Sequence, residues 1–283
     1  DEQQLGETIF NILEIKKQEK TIFYENWQKM LSGILNPEKE IEIAITGKYT
    51  GVHDAYMSIL MAVEHASAFL KCKAKIRWIE TSDIETLKDA EKQLSGVKGI
   101  VVPGGFGSRG TEGKIKCIEY ARKNNIPFLG LCYGMQLATI EYARNLCNLK
   151  DANSNEICKT ENPVIDILPE QRTIENKGGT MRLGAHETLI KNNTLAQEIY
   201  NKPIIKERFR HRYEVNPDYV SVLEKNGLIF SGISKEDSRI MQILELPRKN
   251  HKFFFATQFH PEFTSHPLQP SPVFVEFIRG CLS

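Results

Sequence analysis

Between residues 41 and 131 short apolar runs alternate with segments of helical periodicity, and this alternation leaves few folds open. "IEIAITGKY" (41–49), "AKIRWIE" (74–80), "VKGIVVPGG" (97–105) and "IPFLGL" (126–131) read as strands. "DAYMSILMAVEHASAFL" (54–70), "DIETLKDAEKQL" (83–94) and "TEGKIKCIEYARKNN" (111–125) read as helices. Strands that are apolar throughout, rather than alternately polar, have both faces covered, and helix-linked strands of this kind form a parallel sheet. Such a sheet puts its sites beyond the carboxyl ends of its strands.

After about residue 160 the pattern changes. "TMRLGAHETLI", "IIKERFRHRYEVN", "LIFSGI", "IMQILEL" and "FFFATQFH" read as strands, mostly antiparallel by their spacing. "TLAQEIY", "YVSVLEK" and "PSPVFVEFIRGCL" read as helices. The expected fold is α/β: a mostly parallel central sheet with helices on both faces and extra antiparallel strands in the C-terminal part. Residues 41–283 form this domain. Residues 1–40 read as a detached helical linker whose face is marked by Trp27, Met30, Leu31, Ile34 and Leu35, ending at "NPEKE".

Composition narrows the function. A formal net charge of +1 gives no global field for nucleic acid or an anionic membrane. No apolar run approaches the roughly 20 residues of a membrane-spanning helix. None of the six cysteines forms a Cys-x-x-Cys pair, and no Cys/His cluster has zinc spacing, so no metal site is expected. Unpaired thiols fit a reducing, cytoplasmic setting. There most cysteines are small buried hydrophobes, the reading given to Cys72, Cys117 and Cys147.

Cys132 is different. It stands in Gly130-Leu131-Cys132-Tyr133-Gly134, where a buried strand meets a helix. Gly-x-Cys-x-Gly at such a junction matches a nucleophile elbow, a sharp turn with a strained central residue. The thiol then sits at a helix N-terminus, where the dipole favours a thiolate. The N–H of Tyr133 points to where a tetrahedral oxyanion would form. The competing reading is a buried cysteine beside ordinary turn glycines. In "VVPGGFGSRG" (101–110), Gly104, Gly105 and Gly107 leave backbone N–H groups able to approach an anion, without the trailing residues of a P-loop. In "FFFATQFHPEF" (253–263), a strand ends at His260-Pro261-Glu262. Pro261 biases His260 to an extended conformation, and extended residues two apart share a side, so Glu262 can orient the imidazole. Cysteine, histidine and glutamate at separate strand ends suit a thiol-based acyl transferase or hydrolase.

These phrases, in this order, resemble the class I (triad) glutamine amidotransferases, and among them the glutaminase domain of CTP synthase. The resemblance runs through "GKYTGVHDAY", "VPGGFGSRGTEGKI", "FLGLCYGMQLATIEYARN", "DANSNE", "GGTMRLG", "ERFRHRYEVNP" and "HPEFTSHPLQPSP", about residues 41–283. It implies hydrolysis of L-glutamine to glutamate and ammonia through a thioester on Cys132. His260 is the implied general base and acid, and Glu262 its partner. The implied oxyanion hole is the amides of Gly105 and Tyr133. The implied glutamine contacts are Gly105, Tyr133, Gly134, Met135, Gln136, Glu156 and Arg212. Glu156 suits the ammonium of free glutamine and Arg212 its carboxylate. The resemblance also implies an N-terminal synthetase domain, absent from this chain, that uses ATP, Mg and the ammonia to convert UTP to CTP. It further implies a homo-oligomer of the full-length protein, and GTP as an activator near Arg109, Glu112, Thr180 and Arg182. Tyr133 stands where the family most often has Leu, and its bulk is expected to reshape the pocket rim. The alternatives are a free-standing gamma-glutamyl thiol hydrolase and a non-catalytic module that retains the fold.

Overall fold

The structure is a computed structural model that describes residues 4–16, 21–47, 53–167 and 181–283. Two N-terminal helices, α1 (Leu5–Ile12) and α2 (Ile22–Leu35), precede the alternating region. That region runs β1 (Lys39–Gly47), α3 (Met57–Phe69), β2 (Cys72–Glu80), α4 (Leu87–Leu94), β3 (Gly99–Val102), α5 (Thr111–Lys123), β4 (Phe128–Leu131) and α6 (Tyr133–Leu146). The remainder is β5 (Asn153–Ser154), β6 (Pro163–Asp166), β7 (Arg182–Ile190), α7 (Leu195–Tyr200), β8 (Ile204–His211), β9 (Glu214–Val215), α8 (Pro217–Lys225), β10 (Ile229–Ser234), β11 (Met241–Glu245), β12 (Phe254–Thr257) and α9 (Pro272–Leu282).

The main sheet has the order β2-β1-β3-β4-β12-β11-β10-β7-β8. Its first five strands are parallel and the rest antiparallel. The expectation for the late strands therefore needs one correction. β12 is antiparallel to β11 but parallel to β4, so a strand from the end of the chain completes the parallel half. A small second sheet, β5-β6-β9, was not evident in the sequence, because strands this short carry no periodicity.

The core forms on both faces, as continuous apolar strands require. In β3, Ile100 and Val102 join the cluster under α4, α5 and α6, while Val101 joins the cluster under α3 and α9. In β4, Phe128 lies on the first face and Leu129 and Leu131 on the second. The exposed helix expected from residue 83 begins later, at Leu87, because Thr86 and Asp89 form a capping box. The N-terminal segment is less detached than its sequence suggests. Gly33 of α2 lies so close to α3 that an added Cβ would stand 2.1 Å from the carbonyl oxygen of Ala68. The marked face of α2 is only partly covered: Trp27, Ile34 and Leu35 stay exposed. No helix among the described residues is long and apolar enough to cross a membrane.

Two glycines let the chain turn from β4 into α6. A Cβ on Gly130 would stand 2.8 Å from the Cβ of Ala256 and 2.9 Å from the backbone carbon of Gly134. A Cβ on Gly134 would stand 2.1 Å from the carbonyl oxygen of Val102. Gly134→Ala must push α6 off β3, and overpacking of this kind costs about 1–3 kcal/mol. The urea midpoint of Gly134→Ala is therefore expected to fall; an unchanged midpoint would show that α6 does not depend on this contact.

Candidate active site

Parallel neighbours end at the same edge of a sheet. β3, β4 and β12 are adjacent, so the glycine loop, Cys132 and His260 emerge side by side. The pairing of β12 with β4 continues past the strands: the N–H of Cys132 donates to the carbonyl of Thr257 at 2.7 Å. Cys132 has φ 50° and ψ −98°, a left-handed conformation that a non-glycine residue rarely adopts. Its side chain is thereby lifted off the strand direction at the N-terminus of α6. The sulfur lines a cavity of about 680 Å³ together with Gly104, Gly105, Gln136, Glu156, Arg212 and His260.

His260 and Cys132 line the same cavity, and a Cβ built on Gly104 would approach both side chains, so the imidazole and the thiol are neighbours. Nδ1 of His260 lies 2.7 Å from Oε1 of Glu262, so Nε2 is the nitrogen left for the sulfur. Both side chains are largely buried. Burial alone would lower the imidazole pKa, but the neighbouring Cys132 and Glu262 outweigh it and hold the pKa up at about 10. The local route to this pair differs from the extended one expected. Pro261 starts a 3-10 turn, Pro261–Thr264, and Glu262 reaches back across it. The ring of Phe263 stacks on His260 at 5.1 Å. Behind Glu262 lies Glu207, which accepts from Thr264 and Tyr200. Burial, with the nearby Glu262 charge, raises Glu207 to about 7.

Gly104 closes the opposite side. A Cβ there would lie 2.9 Å from Cε1 of His260 and 3.7 Å from the Cβ of Cys132. Any side chain at 104 would displace the imidazole. Gly107 takes a different role from the one expected. Its N–H donates to Oε1 of Glu156 at 3.2 Å, so this amide is tied to the cavity wall and Glu156 is positioned by it. Its carbonyl accepts from the Tyr133 hydroxyl at 2.6 Å and from Thr111 at 3.1 Å. Tyr133 is therefore absent from the pocket rim, contrary to expectation. Its ring is buried beneath the glycine loop, within reach of Gly105 and with the Lys114 ammonium 5.5 Å from its centroid. Burial pushes the phenol up to about 12.

The side chain of Met135 is in the core and its N–H bonds to the carbonyl of Cys132 at 3.0 Å, so it offers the cavity neither group. Gly134 is packed against β3, away from the cavity lining. Gln136, one helical turn beyond Cys132, returns to the cavity wall. The residues expected near a nucleotide each have a partner within the chain. Arg109 and Glu112 lie at the start of α5, bound to Ser82 and Arg144. Arg182 lies on β7, bound to Glu214 and Glu236. Thr180 lies outside the described residues.

The sequence reading missed several cavity residues: Ala55, Phe106, Met181, Arg210, His211 and Tyr213. His211 is buried in the wall and donates Nδ1–H to the Tyr213 carbonyl at 3.2 Å. Burial lowers its pKa to about 3, so it is neutral. Only the alternation along β8, which turns Glu207, Phe209 and His211 inward, pointed to it.

Two expected outcomes follow from this geometry. Gly104→Ala shifts the imidazole from the thiol, and a displacement near 1 Å costs on the order of 100-fold in rate. Turnover should fall to that extent with the melting temperature little changed; equal loss of both would contradict a local effect. Cys132→Ala removes a partner that raises the His260 pKa. Followed by NMR, the His260 ring should titrate near pH 10 in the wild type and clearly lower in Cys132→Ala; coincident midpoints would exclude the pairing.

The profile of the class-I glutamine amidotransferase family matches residues 51–279. The CTP synthase of Pyrococcus furiosus is 50% identical over 277 residues, covering 98% of this chain and 50% of the relative. That of Archaeoglobus fulgidus is 48% identical over 281 residues, covering 99% of this chain and 51% of the relative. The chain thus spans about half the length of the curated relatives it matches. Among solved structures, the glutaminase domain of Trypanosoma brucei CTPS, with bound acivicin, superposes with a TM-score of 0.79 at 38% identity. The match covers 86% of this chain and 94% of that one.

Proposed function

This chain belongs to the class I glutamine amidotransferase family, among the glutaminase domains of CTP synthases, and from that premise we propose that it hydrolyses L-glutamine to glutamate and ammonia through a thioester on Cys132. The observation that carries the reading is Cys132 beside His260, itself bonded to Glu262 at 2.7 Å, at the wall of a cavity that also holds Glu156 and Arg212. Free glutamine presents an ammonium and a carboxylate, and Glu156 and Arg212 are the matching charges.

The steps follow from the chemistry of the groups. The Cys132 sulfur attacks the side-chain amide carbon of glutamine, and the carbonyl electrons move onto oxygen. The N–H groups of Gly105 and Tyr133 receive that oxyanion. The imidazolium of His260 gives its Nε2 proton to the departing nitrogen, the C–N bond breaks, and ammonia leaves. Neutral His260 then takes a proton from water, whose oxygen attacks the thioester. The C–S bond breaks, glutamate is released and the thiolate is restored. Glu262 fixes the ring through Nδ1 and offsets its charge while it is protonated.

The finer reading extends to the full-length protein. Residues 1–40 are read as the linker to a synthetase domain that spends ATP, with Mg, to aminate UTP to CTP. Relatives twice as long and named CTP synthases support this. Activation by GTP belongs to the same reading. Arg109, Glu112 and Arg182 would each have to exchange a present partner, Ser82, Arg144 or Glu236, for the nucleotide.

The test is glutamate release from glutamine and from gamma-glutamyl peptides. Glutamine turnover that Cys132→Ala abolishes, and that His260→Ala lowers by about 10²–10⁴-fold, is expected. Turnover of the peptides in place of glutamine would favour the free-standing hydrolase, and turnover of neither would overturn the catalytic reading.

A further inference from the structure

Gln258 is fully buried on the carboxyl end of β12, two residues before His260. Its Nε2 lies 3.5 Å from the sulfur of Cys132, a residue 126 positions away. We propose that Gln258 is a further catalytic residue, whose amide N–H holds the Cys132 sulfur as a thiolate and steadies it as a leaving group. The proposal rests on the glutaminase reading of this site and adds a group to it.

The polarity of the contact is fixed by a backbone carbonyl. The oxygen of Tyr213 can only accept. It therefore takes a hydrogen from Gln136 Nε2, at 3.0 Å. The other hydrogen of that amide faces Gln258 Oε1, at 3.3 Å. With its oxygen engaged there, Gln258 turns its nitrogen to the sulfur. The chain of donors thus runs in one direction, and no flip of either amide preserves it. The third neighbour of the sulfur, the carbonyl of Arg210 at 3.8 Å, favours the protonated thiol and so works against Gln258.

A hydrogen bond from a neutral donor to a charged acceptor is stronger than one to a neutral acceptor. Gln258 consequently favours the sulfur whenever it carries charge: before attack, and again when the C–S bond of the thioester breaks and sulfur takes the electron pair. Gln136 acts at one remove by orienting Gln258.

The experiment measures the rate of iodoacetamide alkylation at Cys132 against pH, by peptide mass spectrometry. It is done in a Cys158→Ser background, because Cys158 is exposed. Gln258→Leu should raise the pH midpoint by about one unit and lower glutamine turnover about tenfold, the size expected of one charge-assisted hydrogen bond. Gln258→Glu, close in shape but with a carboxylate at the sulfur, should raise the midpoint further. Midpoints unchanged in folded variants would overturn the proposal. If neither variant folds, the wild type decides: the Gln258 side-chain amide resonance must shift as the thiol titrates, and an unmoved resonance overturns the proposal. A wild type that fails to hydrolyse glutamine, while the variants show the shifted midpoints, would instead sink the glutaminase reading and leave this contact standing.

Discussion

The site depends on β12 pairing in parallel with β4. That ladder runs from Phe254↔Phe128 to Thr257↔Leu131 and gains one more bond, from the N–H of Cys132 to the carbonyl of Thr257. The last bond is made by the nucleophile's own backbone. It locks the strained φ of Cys132 to the strand that carries Gln258 and His260. Strain at one residue persists only where its surroundings over-determine it. Here the ladder, the contact of Gly130 with Gly134 and the close approach of Gly134 to Val102 do so together.

Around that lock, charge is carried by largely buried side chains. His260 lies between the sulfur and Glu262, and these two partners more than offset the desolvation that would otherwise discharge the ring. His211, more deeply buried, bonds a carbonyl and has the Glu214 carboxyl 3.6 Å away, but burial pushes that carboxyl up to about 8, so it brings no charge near neutral pH and the ring stays neutral. The contrast between two histidines in one cavity wall comes from their partners: a carboxylate and sulfur for one, a peptide oxygen and a carboxyl kept protonated by burial for the other. Glu207, behind Glu262, is pushed up by burial and by its neighbour's charge, so the second carboxylate does not compete for the same proton on equal terms.

Much of this was legible in the sequence, for definite reasons. Gly-x-Cys-x-Gly after an apolar strand leaves few uses for the cysteine. His-Pro-Glu at a strand end names a base and its partner. The turn that joins them was not legible, because Pro261 permits both an extended chain and the first position of a 3-10 turn. Tyr133 was misplaced because a bulky residue beside a nucleophile suggests a rim, while its hydroxyl finds Gly107 beneath the loop. Met135, adjacent in the motif, turns its side chain into the core, because adjacency does not fix which way a side chain points. Gln258 has no sequence signature at all. Its contact needs the Cys132–Gln136 turn and Tyr213 brought to it from two distant segments, and only the fold assembles them.

The central claim is that this sulfur, and no other, becomes covalently joined to glutamine. Mixing the protein with glutamine, quenching in acid within the first turnovers and mapping the peptides by mass tests it directly. The account predicts a γ-glutamyl adduct on the peptide that carries Cys132, and on none of the other cysteine peptides. An adduct on the exposed Cys158, or steady release of ammonia with no adduct on Cys132 at any quench time, would contradict it.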